Sequence, residues 1–190
     1  MEMVNIKING MPLSVPKDRT ILEAARYAGI EIPTLCYLKD INEIGACRIC
    51  VVEVKGARTL VTACVYPVSE GMEITTNSKR VFEARKTTLE LILSTHAKKC
   101  LTCVRAGSCE LQKLCRDYGV NGMRFIGSRE RYAIDDSAPH MVRDDNKCIL
   151  CRRRPAHALL PLEHLLLQIL FLHRTSRSFL HFQVHVPISS

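Results

Sequence analysis

The stretch Pro33–Cys50, "PTLCYLKDINEIGACRIC", places three cysteines with ten residues between the first two and two between the last pair. Cys64 follows after thirteen more, in "LVTACVYP", so Cys36, Cys47, Cys50 and Cys64 read C-x10-C-x2-C-x13-C. Glycine and small residues stand beside them, rather than the continuous apolar run of a packed strand. Four thiolates at such a spacing suit soft, thiophilic iron better than a hard cation. The long first loop can wrap one face of a metal centre while Cys64 closes it from a strand. Gly45 and Ala46 leave the backbone free to approach closely. Tetrahedral zinc is the rival, but zinc sites usually use two short C-x2-C knuckles and only one pair here is short.

The elements around this stretch describe a small sheet with one helix. "VNIKI" (4–8) and "MPLSV" (11–15) flank Asn9-Gly10, a hairpin signal because a type I′ turn needs positive φ at both central residues. "TILEAARYAG" (20–29) is a marked helix: Thr20 and Glu23 can form a capping box, and Gly29 can take the left-handed position at its end. "RICVVEV" (48–54), "RTLVTA" (58–63) and "MEITT" (72–76) are strand candidates. Residues 1–78 therefore read as an α+β roll.

A second helix, "KRVFEARKTTLELILSTH" (79–96), is capped by Asn77 or Ser78 and carries one apolar face through Val81, Ala84, Leu89, Ile92 and Leu93. Where it ends, His96, Cys100, Cys103 and Cys109 read H-x3-C-x2-C-x5-C. His96 lies one turn before Cys100, so a continuing helix would aim both at one site. Residues 79–119 form this second segment, with Cys115 left over as a buried free thiol on the following helix. Residues 120–145 read as a polar connector, and "NKCILCRRR" (146–154) begins something new.

From Pro155 the composition breaks. Residues 155–190 contain no lysine or aspartate and one glutamate, yet hold five of the seven histidines. "LLLQILFL" (165–172) is well short of the roughly 20 apolar residues a membrane span needs. This tail is expected to be disordered or out of frame, and its apolar run to promote aggregation.

Composition excludes several classes. Ten cysteines invite a disulfide scaffold, but the start "MEMVNIKINGMPLSV" has no apolar signal segment. The expected location is the cytoplasm, where clustered thiols stay reduced and hold metal. The net charge of +8 invites nucleic acid, but the basic residues are scattered among nineteen acids and no nucleic-acid-binding signature appears. No nucleophile, general base or glycine-rich nucleotide fingerprint can be named, so no catalytic residue is assigned and turnover by this chain alone is not expected.

"PTLCY…GACRIC…C" resembles the plant-type [2Fe–2S] ferredoxin domain at the front of [FeFe]-hydrogenase catalytic subunits and of the large iron–sulfur subunit of respiratory complex I, the NADH-quinone oxidoreductase. The resemblance implies a β-grasp fold with a [2Fe–2S] cluster on Cys36, Cys47, Cys50 and Cys64. "HAKKCLTCVRAGSCELQ" resembles the helical [4Fe–4S] domain that follows in the same families, which implies His96, Cys100, Cys103 and Cys109 as ligands. "DDNKCILCRR" resembles the opening of a ferredoxin-like [4Fe–4S] domain whose motif continues C-x2-C-x2-C. Cys148 and Cys151 match its first two ligands, but Arg154 occupies the third position and no cysteine follows. That third site is incomplete, and the segment after Asp145 is expected not to pack. Leu101 and Val104, where complex I subunits typically carry proline and an acid, lean the reading towards the hydrogenases and their NAD(P)-linked relatives.

The implied function is an electron-transfer module relaying single electrons within a larger oxidoreductase. Its partners would be a flavin- or NAD(P)H-oxidising subunit, a ferredoxin or a hydrogenase catalytic domain, with any membrane association coming through such a complex. The alternatives are a zinc-binding structural or interaction module, and a truncated non-functional fragment.

Overall fold

The computed structural model describes residues 2–122, 124–125, 131–138 and 140–153. The chain divides into two compact units. Among the described residues, one comprises 2–88 with 150–153, and the other those between 89 and 149. The tail expectations, Arg154 and the apolar run included, lie outside the described residues.

In the first unit β1 (Met3–Ile8) and β2 (Met11–Pro16) form an antiparallel hairpin in which Val4 faces Val15 and Ile6 faces Leu13. Asn9 and Gly10 have φ of 53° and 84°, the two positive values that the tight turn requires. Asn9 does a second job: its Oδ1 accepts from the Thr76 N–H (2.9 Å) and its Nδ2 donates to Thr76 Oγ1 (2.8 Å). The turn is thereby pinned to the end of β5 (Glu73–Thr75), which pairs parallel with β1.

Helix α1 (Ile21–Tyr27) forms between these strands, and both halves of the Thr20–Glu23 capping box are made. Its end is a Schellman turn, with Gly29 at φ 72° and the Ile30 N–H reaching the Ala25 carbonyl at 2.8 Å. Ile21, Leu22, Ala24 and Ala25 are buried, so α1 lays its apolar face on the sheet. β3 (Val51–Val54) and β4 (Val61–Thr62) complete a five-stranded sheet of order β2-β1-β5-β3-β4, the mixed arrangement of a β-grasp roll. Both strands are shorter than the sequence suggests, because the residues before Val51 are drawn into the cysteine loop.

Helix α2 (Lys79–Thr95) is capped by Ser78, whose Oγ accepts from the Val81 N–H at 3.2 Å. Val81 and Arg85 are buried, and Arg85 Nη2 donates to the Val51 carbonyl of β3 at 2.8 Å. The long arginine stem fills a core position while its head satisfies a strand end.

The described part of the second unit contains the end of α2, short turns and α3 (Glu110–Asp117), which buries Leu111 and Leu114. The expected polar connector contains a hairpin of β6 (Asp135–Ala138) and β7 (Met141–Arg143). Aspartates and short length hid it, since such strands lack both β propensity and an apolar alternation. Among the described residues no helix is long and apolar enough to cross a membrane.

The turn asparagine and the helix cap make separable contributions. Thr20→Ala should cost about 1 kcal/mol of unfolding free energy, the usual value of a lost N-cap. Asn9→Ala should cost more, about 2–4 kcal/mol, because it strains the turn and leaves the buried Thr76 without partners. Equilibrium denaturation of the two variants checks the ranking.

Candidate metal centres

The loop between α1 and β3 carries three cysteines and is shaped by left-handed residues. Asp40, Gly45 and Arg48 have φ of 62°, 63° and 58°. Successive turns of this kind point peptide N–H groups inward, a concavity that suits an anion. Gly45 also sits close to the end of β4, where an added Cβ would lie 3.7 Å from Thr62 Oγ1 and 3.4 Å from a methyl of Val65 just beyond the strand.

The four sulfurs stand as two pairs. The Cys47 N–H donates to Cys36 Sγ at 3.4 Å, and the Cys50 and Cys64 sulfurs lie 3.3 Å apart. Cys36, Cys50 and Cys64 are buried, and Cys47 is half-buried. Within each pair the shared hydrogen bond divides the thiols. The bond with Cys36, helped by the N–H groups of Ile49, Leu35 and Cys36, holds the Cys47 thiol down to about 6 against the opposing effect of burial. The bond with Cys64 likewise lowers the Cys50 thiol. Cys36 and Cys64 are driven up, first by those same bonds and then by burial. In each pair the shared bond therefore lowers one thiol, Cys47 or Cys50, and raises its partner.

Two residues that the sequence reading missed hold this loop. Asn42, 3% exposed, donates from Nδ2 to the Cys36 carbonyl (2.7 Å) and to the Cys151 carbonyl (3.0 Å). Arg153 donates from Nε to the Cys36 carbonyl (3.2 Å) and from Nη2 to the Tyr37 carbonyl (3.0 Å). Their partners lie some hundred residues away in sequence, so no local pattern reports them. The expectation that the segment after Asp145 cannot pack is corrected for its described part, since Arg153 is 9% exposed and fixed in the first unit. Cys148 and Cys151 of the third motif fall in different units.

In the second unit His96, Cys100, Cys103 and Cys109 line one cavity of about 270 Å³. They reach it differently from the sequence expectation. α2 ends at Thr95, and Cys100 opens a 3₁₀ turn, Cys100–Thr102, instead of a further helical turn. The chain between them is tied back by a bond from the Ala97 N–H to the Asn146 carbonyl at 2.8 Å. Gly107, at φ 83°, donates its N–H to Gln112 Oε1 at 3.3 Å, which sets the loop before Cys109 at the start of α3. Cys115 lines the same cavity from α3. Burial, with the neighbouring Cys109 and Cys100, pushes its thiol up to about 11, so it stays neutral. Among the described residues no group of three or more His, Cys, Asp or Glu side chains gathers at single-ion geometry.

Known proteins share this tandem of sites. Residues 1–79 match the family described as 2Fe-2S iron-sulfur cluster binding domain, and residues 85–124 the NADH-ubiquinone oxidoreductase-G iron-sulfur binding region. The chain thus carries a [2Fe–2S]-binding domain followed by a [4Fe–4S]-binding region, the cofactor pair of an iron–sulfur electron-transfer module, and is similar to subunits of hydrogenases and NADH dehydrogenases. The zinc reading is set aside.

Among its relatives, the NADP-reducing hydrogenase subunit HndD of Solidesulfovibrio fructosivorans is 45% identical over 158 residues, 80% of this chain and 27% of that protein. The NADPH-Fe(3+) oxidoreductase subunit alpha of Geobacter sulfurreducens is 40% identical over 151 residues, 80% of this chain and 18% of that protein. The NADH-ubiquinone oxidoreductase 75 kDa subunit of Reclinomonas americana is 36% identical over 151 residues, again 80% of this chain and 22% of that protein. A solved NAD+-reducing [NiFe]-hydrogenase in the H2-reduced state superposes with a TM-score of 0.72 at 31% identity, covering 78% of this chain and 62% of that one. The chain thus spans less than a third of the length of these curated relatives.

Gly45 offers a direct check on the first loop. Gly45→Ala puts a side chain into a left-handed conformation, costing about 1–2 kcal/mol, and presses it on Val65. The iron–sulfur chromophore should bleach at a lower temperature than in the parent protein, as followed by absorbance during a thermal ramp.

Proposed function

We propose that Cys36 and Cys47 hold one iron of the [2Fe–2S] cluster and Cys50 and Cys64 the other, and that His96, Cys100, Cys103 and Cys109 hold the [4Fe–4S] cluster. The pairing of the four sulfurs carries the first assignment. Two irons need two thiolates each, and the fold brings the sulfurs together two by two rather than around one point. The thiol polarisation fits, since the shared hydrogen bond lowers one thiol of each pair, Cys47 and Cys50. The shared cavity supports the second assignment. When bound, the clusters supply one-electron couples whose potentials follow charge, hydrogen bonding and exposure.

The residues themselves bind, orient and exclude water. Three of the four first-site cysteines are buried, and the Cys47 N–H aimed at Cys36 Sγ stabilises negative charge on sulfur. At the second site the neutral imidazole of His96 in place of a thiolate makes the cluster less negative, which raises its potential. Leu101 is fully exposed beside Cys100, so this site faces solvent or a partner. The module relays single electrons inside a larger oxidoreductase whose flavin- or NAD(P)H-handling subunit, ferredoxin or hydrogenase domain supplies or takes them. Leu101 and Val104 favour a hydrogenase-type NAD(P)-linked parent over complex I, and the 45% against 36% identity of the two relatives points the same way. The assembly works in the cytoplasm on this reading.

The domain limits that serve this function are 1–78 for the first cluster and 79–119 for the second, with 120–145 a connector. Residues 146–154 begin a third ferredoxin-like domain that lacks its ligands, and 155–190 form the atypical tail.

Anaerobic reconstitution should give a brown protein with about six iron atoms per chain, two and four from the two cluster types. Iron near ten would mean that the third site is filled. Cys47→Ser should abolish the axial S = 1/2 signal of the reduced [2Fe–2S] cluster, and a full signal in that variant would reject the ligand set. His96→Ala should lose or convert the [4Fe–4S] cluster while sparing the [2Fe–2S] signal, and unchanged iron and sulfide would remove His96 from the ligands.

A further inference from the structure

The third motif lacks the sulfurs for a cluster, yet its last described residues are built into the first site. Cys36 is the residue on which they converge. Its carbonyl accepts from Asn42 Nδ2 and from Arg153 Nε, and the next carbonyl, that of Tyr37, accepts from Arg153 Nη2. Arg153 and Asn42 are both nearly buried, and the Asn42 amide bridges the Cys36 and Cys151 carbonyls. A guanidinium stays protonated at any working pH, and its planar fork suits two adjacent carbonyls. Its charge lies where little water screens it. Other charges meet at the same loop: Arg26 stacks over the Tyr37 ring at 5.0 Å, and the Glu43 and Glu23 carboxylates act on the Tyr37 hydroxyl.

We propose that Arg153 is a potential-setting residue of the [2Fe–2S] centre, acting through the Cys36–Tyr37 peptide. Two ferric ions, two sulfides and four thiolates sum to a charge of about −2, and one added electron makes it about −3. A fixed cation beside a ligand's backbone stabilises the reduced state more than the oxidised one, so it raises the potential. The segment that elsewhere in the superfamily opens a third cluster domain would here govern the first cluster. This inference rests on Cys36 being a ligand of that cluster.

The test is a potentiometric titration of the reconstituted full chain, followed by the S = 1/2 signal of the reduced [2Fe–2S] cluster. Arg153→Gln and Arg153→Met remove the charge, and Arg153→Lys keeps it. Both charge-free variants should keep their iron and signal shape but shift the reduction equilibrium towards the oxidised form about tenfold, about 59 mV for one electron. Arg153→Lys should recover most of that shift. Potentials equal to the parent's in Arg153→Gln and Arg153→Met would overturn the proposal. So would a Lys variant as shifted as the Gln variant, or loss of iron from both charge-free variants, since a structural clamp would then suffice. Failure of the underlying ligand reading is separate, because Cys36→Ser would then retain the complete signal.

Discussion

Cys50 and Cys64 belong to the same apolar core as Leu22, Val52 and Ile74, and Cys36 is equally buried beside it. Everything else about the first unit follows from placing a metal site inside the core. As neutral thiols, these cysteines pack like small hydrophobes and the sheet can form around them. As bare thiolates they would be costly to bury, because an unpaired charge in an apolar setting loses its hydration. Only two states are acceptable, paired protonated sulfur or metal-bound sulfur. The structure holds the sulfurs as two hydrogen-bonded pairs, a geometry ready for the second. Metal binding and folding are consequently linked in this unit, although α1 and the hairpin supply enough apolar surface to hold the scaffold.

Much of that scaffold could be read directly from residues. Asn9-Gly10 and the Thr20–Glu23 capping box act locally, so their signals are complete in a few residues, and both are found as expected. The cysteine spacing also reports a local property, since Cys36, Cys47, Cys50 and Cys64 come together as two pairs of sulfurs in the structure. What stayed hidden depends on distant partners. Asn42 looks like any loop asparagine until Cys151 comes back to it, and Arg153 looks like one of three basic residues in a row. Arg85 reads as a polar position of an amphipathic helix, yet it is 2% exposed and bonded to the Val51 carbonyl. The 3₁₀ turn at Cys100 replaced the expected helix for a similar reason, since the Asn146 carbonyl captures the Ala97 N–H.

The two sites differ in how much the fold supports them. The first is enclosed by sheet, helix and a loop whose left-handed residues are held by buried bonds. The second rests on loops, with Cys100 exposed and only Leu111 and Leu114 of α3 buried. A site with few buried apolar neighbours draws more of its order from the metal itself. Exposure also brings a cluster edge nearer to a partner, and the fully exposed Leu101 makes that edge apolar. The division suits a relay in which one centre is insulated and the other is accessible.

The described end of the chain, around Cys151, is held by the first unit. Leu150 and Arg152 have φ of 54° and 57°, so the backbone keeps the left-handed turns of a metal-binding loop. Each such residue costs about 1–2 kcal/mol, and strain of that kind persists only where surroundings over-determine it. Here the surroundings are the bonds from Asn42 to Cys151 and from Arg153 to the Cys36 and Tyr37 carbonyls. Hydrogen bonds from a charged donor contribute about 1.5–3 kcal/mol each, enough to offset two strained residues. These bonds stabilise the loop, and its conformation is a property of the Cys36 loop as much as of its own sequence.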